Sequence, residues 1–119
     1  MLRRLDIVSI RVRDWGAAVE WYKEKLGLVP RGLHDDPWCL MTFPESGTSI
    51  ALDGTNPAVP GKSNIIPTIL AQDLRNTVAT LRSRGVEFSR EIEESDEGYR
   101  MASFRDLEGN LINLYENIK

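Results

Sequence analysis

Hydrophobic and polar residues alternate along several short stretches of this chain, beginning with Leu5 to Val12. One side of that stretch carries Val8, Ile10 and Val12, and the other carries Ile7, Ser9 and Arg11. Strict alternation is typical of a half-buried strand. We therefore expect the aliphatic side to lie under a helix and the side with the serine and the arginine to face a pocket.

Two longer stretches carry apolar residues at the three- and four-residue spacing of an amphipathic helix. The first follows Asp14, a favourable N-cap, and ends at Gly27. The second follows Asp73 and ends at Gly85. The predicted buried stripes are Trp15, Ala18, Val19, Tyr22 and Leu26 in the first helix, and Leu74, Val78 and Leu81 in the second.

The chain contains the same arrangement twice. Pro44–Leu52 is a shorter version of Asp106–Glu116, and superposing them pairs Gly47 with Gly109. The capping aspartates and the helix-ending glycines repeat at nearly the same offset, which indicates a tandem structural repeat. We predict a single domain of two βαβββ modules, at about 1–54 and 64–119. Residues 55–63, rich in glycine and proline, form the predicted linker.

The remaining alternating stretches complete the predicted strands. A short strand is expected between Gly27 and Asp36, and the others are Trp38–Phe43, Thr48–Asp53, Ile65–Ala71, Val86–Arg90, Tyr99–Arg105 and a strand beginning at Leu111. Pro67 suggests that its strand lies at a sheet edge. The acidic segment 91–98 is interpreted as a solvated loop, with a rim that favours cationic ligands as the alternative.

Composition narrows the class of protein. The 119 residues are 41% hydrophobic and 28% charged, with a net charge of -3. This is a globular composition, and the mixed charges form no basic patch, so nucleic acid is not an expected partner. Cys39 is the only cysteine, which excludes an internal disulfide and fits a small buried side chain. With neither a membrane span nor a signal peptide evident, we expect a cytoplasmic protein.

Several motifs together resemble those of the vicinal oxygen chelate superfamily, which includes glyoxalase I, bleomycin resistance proteins and extradiol dioxygenases. They are Ile7–Asp14, Trp21-Tyr22, Leu26-Gly27-Leu28 and Asp106–Leu114. The resemblance spans nearly the whole chain. It implies an α+β fold in which two βαβββ modules form a curved mixed sheet around a cleft, with the helices outside.

The resemblance also implies four metal-ligand positions, which fall on Ile7, Ala51, Ile66 and Asn113. Metal-dependent relatives have His or Glu there, because a divalent ion needs nitrogen or oxygen lone pairs. Three of these side chains here are aliphatic, and one neutral amide is too few. We therefore expect no metal and no other cofactor. His34 and Asp53 are the candidates for a relocated metal site.

The expected cleft is lined by residues from both modules, and the face assignments place Cys39 and Met41 on the same face as Ala51. Trp38 and Tyr99 are expected to stack on an aromatic ligand at the rim, and Arg11 or Arg105 to pair with a carboxylate or a phosphate. The predicted ligand-binding residues are Ile7, Ser9, Arg11, Trp38, Cys39, Met41, Ala51, Ile66, Thr68, Tyr99, Met101, Ser103, Arg105 and Asn113.

Three functions remain open at this point. The first is a metal-independent protein that sequesters an aromatic or cationic small molecule and, as the resemblance implies, forms a homodimer. The second is a lyase, isomerase or dioxygenase of the same fold, with a relocated or absent metal or with Tyr99, Asp53 or Arg105 as acid, base or electrostatic clamp. The third is a structural or regulatory dimer whose side chains fill the cleft.

Overall fold

Each half of the chain folds as one strand, one helix and three further strands. The structure, a computed structural model, describes residues 1, 7–32, 36–55 and 66–118. The first half contains β1 (Val8–Arg11), α1 (Trp15–Leu26), β2 (Val29–Arg31), β3 (Trp38–Thr42) and β4 (Ser49–Asp53). The second contains β5 (Thr68–Leu70), α2 (Leu74–Ser83), β6 (Phe88–Ser95), β7 (Tyr99–Arg105) and β8 (Leu111–Asn117). The prediction of an α+β fold made of two βαβββ units is confirmed.

The chain divides into two compact units, Met1–Gly61 and Lys62–Lys119, which we call the first and second modules. Each contains one four-stranded mixed sheet, with strand orders β1-β4-β3-β2 and β5-β8-β7-β6. In both sheets the first strand of the module pairs in parallel with its last strand, and the other pairings are antiparallel. The predicted module limits, 1–54 and 64–119, stay a prediction, and most of the predicted linker lies outside the described residues.

The helices begin and end where the local sequence indicates. Asp14 caps α1 by accepting a hydrogen bond from the backbone N–H of Ala17 at 3.1 Å, and Asp73 caps α2 through Asn76 at 3.2 Å. Each carboxylate satisfies a backbone donor that the helix leaves unpaired. α1 ends before Gly27, whose φ is 72°. Both helices therefore lie at the predicted positions.

One face of each sheet packs against its own helix. α1 contacts β2, β3 and β4, and α2 contacts β6, β7 and β8. The fully buried side chains in these layers include Val12, Tyr22 and Leu52 in the first module, and Leu74, Phe104 and Ile112 in the second. This burial supplies most of the favourable free energy of folding. We call the opposite sides, which carry no helix of their own module, the first and second open faces.

The hairpin turns before the last strands require glycine. Gly47 and Gly109 have φ values of 78° and 86°, a left-handed conformation that other residues seldom adopt. Within the second turn, the buried carboxylate of Asp106 accepts hydrogen bonds from the backbone N–H groups of Glu108 and Asn110, at 2.9 and 2.8 Å. These bonds fix the turn that leads into β8.

The acidic segment 91–98 is not the predicted loop. β6 continues to Ser95, and only the turn before β7 interrupts the hairpin. Arg100 on β7 pairs with Glu94 at 2.7 Å, and Arg82 on α2 pairs with Glu91. Backbone pairing with β7 and these ion pairs outweigh the low strand propensity of glutamate. Glu91 and Glu94 therefore face arginines, and the alternative of a rim that favours cationic ligands stays a prediction.

Arg100 connects the strands of the second module to the start of α2. Its guanidinium contacts Glu94 at 2.7 Å and Glu116 at 3.1 Å, and Glu116 also accepts a hydrogen bond from the backbone N–H of Leu74 at 3.3 Å. The hydrogen bond from Arg100 lowers the pKa of Glu94 below its ordinary value of 4.5. Both carboxylates raise the pKa of Arg100.

We expect the protein to lose stability in acid as Glu94 becomes protonated. A carboxylate whose folded pKa is depressed stabilises the fold above its ordinary pKa of 4.5, and this contribution is lost as pH falls through the folded value. The free energy of unfolding, measured with urea at several pH values, should decrease towards acid pH in the wild type. The decrease should be smaller in Glu94→Gln. Glu87→Gln, an equal change of charge on an exposed side chain, is the control. An unchanged pH profile in Glu94→Gln would contradict the assignment.

Among the described residues, the structure contains no helix with the length and apolar composition of a membrane span.

Candidate functional site

The first open face presents small, apolar and basic side chains in rows across its sheet. Ser9 lies opposite Ala51, which lies opposite Leu40, which in turn lies opposite Arg31. The neighbouring row contains Arg11, Asp53 and Trp38. Neighbouring strands are about 4.8 Å apart, so the side chains of one row adjoin each other. Ile7 directly precedes β1, has the parity of Ser9 and is 38% exposed.

The predicted register of β3 is wrong by one residue. Cys39 lies opposite Leu52 and Met41 opposite Ile50, so both face α1 and not the open face. Both are completely buried, and burial raises the pKa of the Cys39 thiol. A slip of one residue moves every side chain of a strand to the other face of the sheet. Neither residue lies on the face with Ala51, and neither is a candidate for direct ligand contact.

The second open face has a polar row beside an apolar one. Asn113 on β8 lies opposite Thr68 on β5 and Ser103 on β7. Two residues further along β8, Tyr115 lies opposite Leu70 and Met101.

Further residues lie beside these two rows on the same face. Tyr99 adjoins the apolar row, and its ring lies 6.2 Å from that of Tyr115 in a tilted arrangement. Arg105 lies opposite Leu111 at the other end of β7. Ile66 has the parity of Thr68 and is 41% exposed. One face of the sheet therefore carries Thr68, Tyr99, Met101, Ser103, Arg105 and Asn113, and their role in ligand binding stays a prediction.

The fold and the sequence both match a known family. The family model for the Glyoxalase/Bleomycin resistance protein/Dioxygenase superfamily matches residues 4–114. The chain belongs to this superfamily. The resemblance drawn from the motifs is thereby confirmed. No curated protein matches the sequence.

Solved structures of the superfamily fold superimpose over almost the whole chain. UcmS2 is 26% identical with a TM-score of 0.77, and the alignment covers 97% of this chain and 98% of UcmS2. A superfamily member from Sphaerobacter thermophilus DSM 20745 is 22% identical, with a TM-score of 0.78 and 98% coverage of both chains. TnmS3, an antibiotic binding protein from Streptomyces sp. CB03234, is 23% identical with a TM-score of 0.77, and the alignment covers 98% of this chain and 97% of TnmS3.

The four positions that the superfamily resemblance assigns to a metal do not suit one here. Ile7, Ala51 and Ile66 have no lone pair to donate. The remaining oxygen, Oδ1 of Asn113, accepts a hydrogen bond from the Ser103 hydroxyl at 2.7 Å. Within residues 7–32, 36–55 and 66–118, no three His, Cys, Asp or Glu side chains form a group that could hold a metal ion.

Three of the residues considered for a relocated metal site or for acid-base chemistry have other partners or lie outside the described part of the chain. Oδ1 of Asp53 accepts hydrogen bonds from the backbone N–H of Thr55 at 2.8 Å and from its hydroxyl. Arg105 donates to the carbonyl oxygen of Gly109 at 2.8 Å. His34 is outside the described residues. None of these contacts brings an acid and a base together.

Sequence reasoning did not name several candidate residues on the open faces, among them Leu40, Thr42 and Tyr115. Leu40 and Thr42 are on the first open face because of the corrected register, and the Thr42 hydroxyl lies 2.8 Å from that of Ser49. Alternation places Tyr115 on the pocket side but does not mark it as a ligand residue. Leu40 and Thr42 could have been found from the hairpin turn Phe43–Thr48, because a hairpin with this turn pairs Trp38 with Asp53.

Proposed function

We propose that the protein binds a small organic molecule on its open faces without a metal ion. The observation that carries the proposal is the state of Asn113: the only ligand-type side chain at the four superfamily positions has its oxygen engaged by Ser103. A divalent ion would share this oxygen with Ser103 and would have it as a single neutral ligand.

The composition of the open faces supports small-molecule binding. Apolar walls with a few polar groups among them are typical of ligand sites. Leu40, Met101 and Tyr115 supply apolar surface, and Ser9, Thr68 and Asn113 supply hydrogen-bonding groups. TnmS3, which shares the fold, is an antibiotic binding protein. We extend this kind of role to the present chain as sequestration of a small molecule, in a homodimer.

A ligand screen by thermal shift tests the proposal. A compound that binds only the folded protein adds about 2.7 kcal/mol to the free energy of unfolding at a hundredfold excess over its Kd. We expect at least one compound of a library of aromatic natural products to raise Tm by several degrees. The increase should be the same in EDTA as in buffer containing Mn²⁺, Ni²⁺ or Zn²⁺.

Two results would contradict the proposal. A Tm increase that requires an added metal would indicate a metal-dependent site. The absence of any Tm increase across the library would argue against small-molecule binding itself. Ala79→Ser, on the exposed side of α2, is the control variant and should keep the response of the wild type. Light scattering after size exclusion would test the homodimer separately.

A further inference from the structure

Hydrogen-bond donors are concentrated around Asn113 on the second open face. Thr68 and Ser103 lie opposite it on the two neighbouring strands, and Arg90 on β6 lies opposite Ser103. Arg105 is two residues from Ser103 on the same side of β7. The row through Asn113 therefore crosses all four strands of the sheet and ends at an arginine.

The contact with Ser103 determines which part of the Asn113 amide remains for a ligand. Oδ1 accepts the Ser103 hydroxyl hydrogen at 2.7 Å, which uses one of its two lone pairs, while both N–H groups of the amide can still donate to a further partner. An amide nitrogen donates two hydrogen bonds and accepts none. The amide nitrogen of Asn113 can therefore donate a hydrogen bond to an oxygen atom of a ligand.

The charges on this face favour an anion, although the whole chain has a net charge of -3. Arg90 ends the polar row and Arg105 lies beside it, and neither forms an ion pair with any described residue. One nitrogen of the Arg105 guanidinium donates to the carbonyl oxygen of Gly109, and the rest of the group can bind a ligand. Glu93 lies opposite Met101, in the neighbouring row. Glu94, in contrast, pairs with arginines on the helix side of the sheet. A carboxylate over Asn113 would therefore be near two guanidinium groups.

An apolar surface lies beside the hydrogen-bond donors of the polar row. Leu70, Tyr115 and Met101 form one row, and Tyr99 packs diagonally against Tyr115 at 6.2 Å. Leu70 is 69% exposed, so most of its side chain can contact a ligand. Tyrosine rings and a methionine thioether pack well against a flat aromatic surface.

We infer that the second open face binds an aromatic acid, with its ring system on Tyr115 and Met101 and its carboxylate at Asn113 between Arg90 and Arg105. This inference rests on the proposed small-molecule binding and specifies its ligand class. Ser103 acts as a positioning residue, because its hydroxyl holds the amide in the donor orientation. Carboxylates gain most from charged and amide donors that converge on them.

Three naphthalenes of nearly equal size test the ligand class: 2-naphthoate, 2-naphthamide and 2-naphthylmethylammonium. Their affinities for the wild-type protein are measured by calorimetry at low and at physiological ionic strength. We expect 2-naphthoate to bind about tenfold more tightly than the amide, and the cation more weakly than either. Salt should weaken the binding of the anion most.

Variants identify the residues responsible. Asn113→Asp replaces the amide donor by a carboxylate, which repels the carboxylate of the ligand. The affinity for 2-naphthoate should therefore fall by about tenfold or more. Arg105→Gln should reduce it severalfold with little effect on the amide. Ser103→Ala should reduce the ratio of the affinity for 2-naphthoate to the affinity for 2-naphthamide. Lys23→Gln, which removes one positive charge from the exposed side of α1, should leave the affinities for all three compounds unchanged.

The outcomes separate this inference from the proposed function. Equal affinities for the anion and the amide, a preference for the cation, or no binding of any of the three would overturn the aromatic-acid assignment. The proposed function would survive each of these results if another library compound still raised Tm in EDTA. Circular dichroism of Asn113→Asp, with its melting curve, keeps loss of folding apart from loss of binding.

Discussion

Met41→Ala is expected to reduce the free energy of unfolding by about 2–5 kcal/mol. Met41 is completely buried on the helix side of β3, where its sulfur lies 3.7 Å from that of Cys39. Removing its side chain leaves a cavity in a layer that α1 and the sheet fill together. Urea denaturation followed by circular dichroism measures the loss, and a fall in the midpoint at constant slope would indicate lost stability alone.

Leu40→Ala is the matched comparison, because Leu40 is the adjacent residue and points to the opposite face. It is only half-buried and lies opposite Ala51 and Arg31 on the first open face. We expect it to cost about 1 kcal/mol or less, since a partly exposed side chain loses less contact. If Leu40→Ala proved the more destabilising of the two, Leu40 and not Met41 would face α1, and the register of β3 would be wrong.

Gly54→Ala is expected to destabilise the first module by about 1–3 kcal/mol through overpacking. A Cβ at position 54 would lie 2.7 Å from Cβ of Trp15 and 3.3 Å from Cβ of Pro37. The Trp15 atom is next to the helix backbone, so it cannot move without shifting the first turn of α1. That turn is also attached to β4, because the Trp15 indole N–H donates to the carbonyl oxygen of Leu52 at 3.3 Å.

Gly16→Ala is the control for the loss of a glycine in the same region. Gly16 is exposed in the first turn of α1, and a Cβ there would meet only Oδ1 of Asp14 at 3.9 Å. Alanine in a helix is more stable than glycine by about 0.5–1 kcal/mol. Tm should therefore rise in Gly16→Ala and fall in Gly54→Ala. A Gly54→Ala protein as stable as wild type would show that the end of β4 can move away from α1.

Local sequence predicted much of this fold because its signals act over a few residues. Asp14 and Asp73 cap the two helices as expected, and Gly47 and Gly109 take the left-handed conformation at equivalent turns. The repetition of these signals in both halves made the βαβββ units recognisable. Together with the motifs, it also indicated the superfamily.

Two elements of the site were beyond local reasoning, for different reasons. In β3, Trp38 to Met41 are all large or apolar, so alternation gave no indication of which side faces the helix. The antiparallel register with β4 decided it. The acidic composition of 91–98 suggested a loop, but pairing with β7 and the arginines at 82 and 100 hold the first part of this segment, up to Ser95, in strand β6.

The sequence by itself determined the duplicated fold, the superfamily and the substitution of Ile7, Ala51 and Ile66 at three of the four metal-ligand positions, because chain order and side-chain type are enough for each. Only the tertiary structure decided which side chains share a face and which polar groups already bind one another. The Ser103–Asn113 hydrogen bond and the burial of Met41 belong to this second class. Both depend on the register between strands, which residues distant in sequence set together.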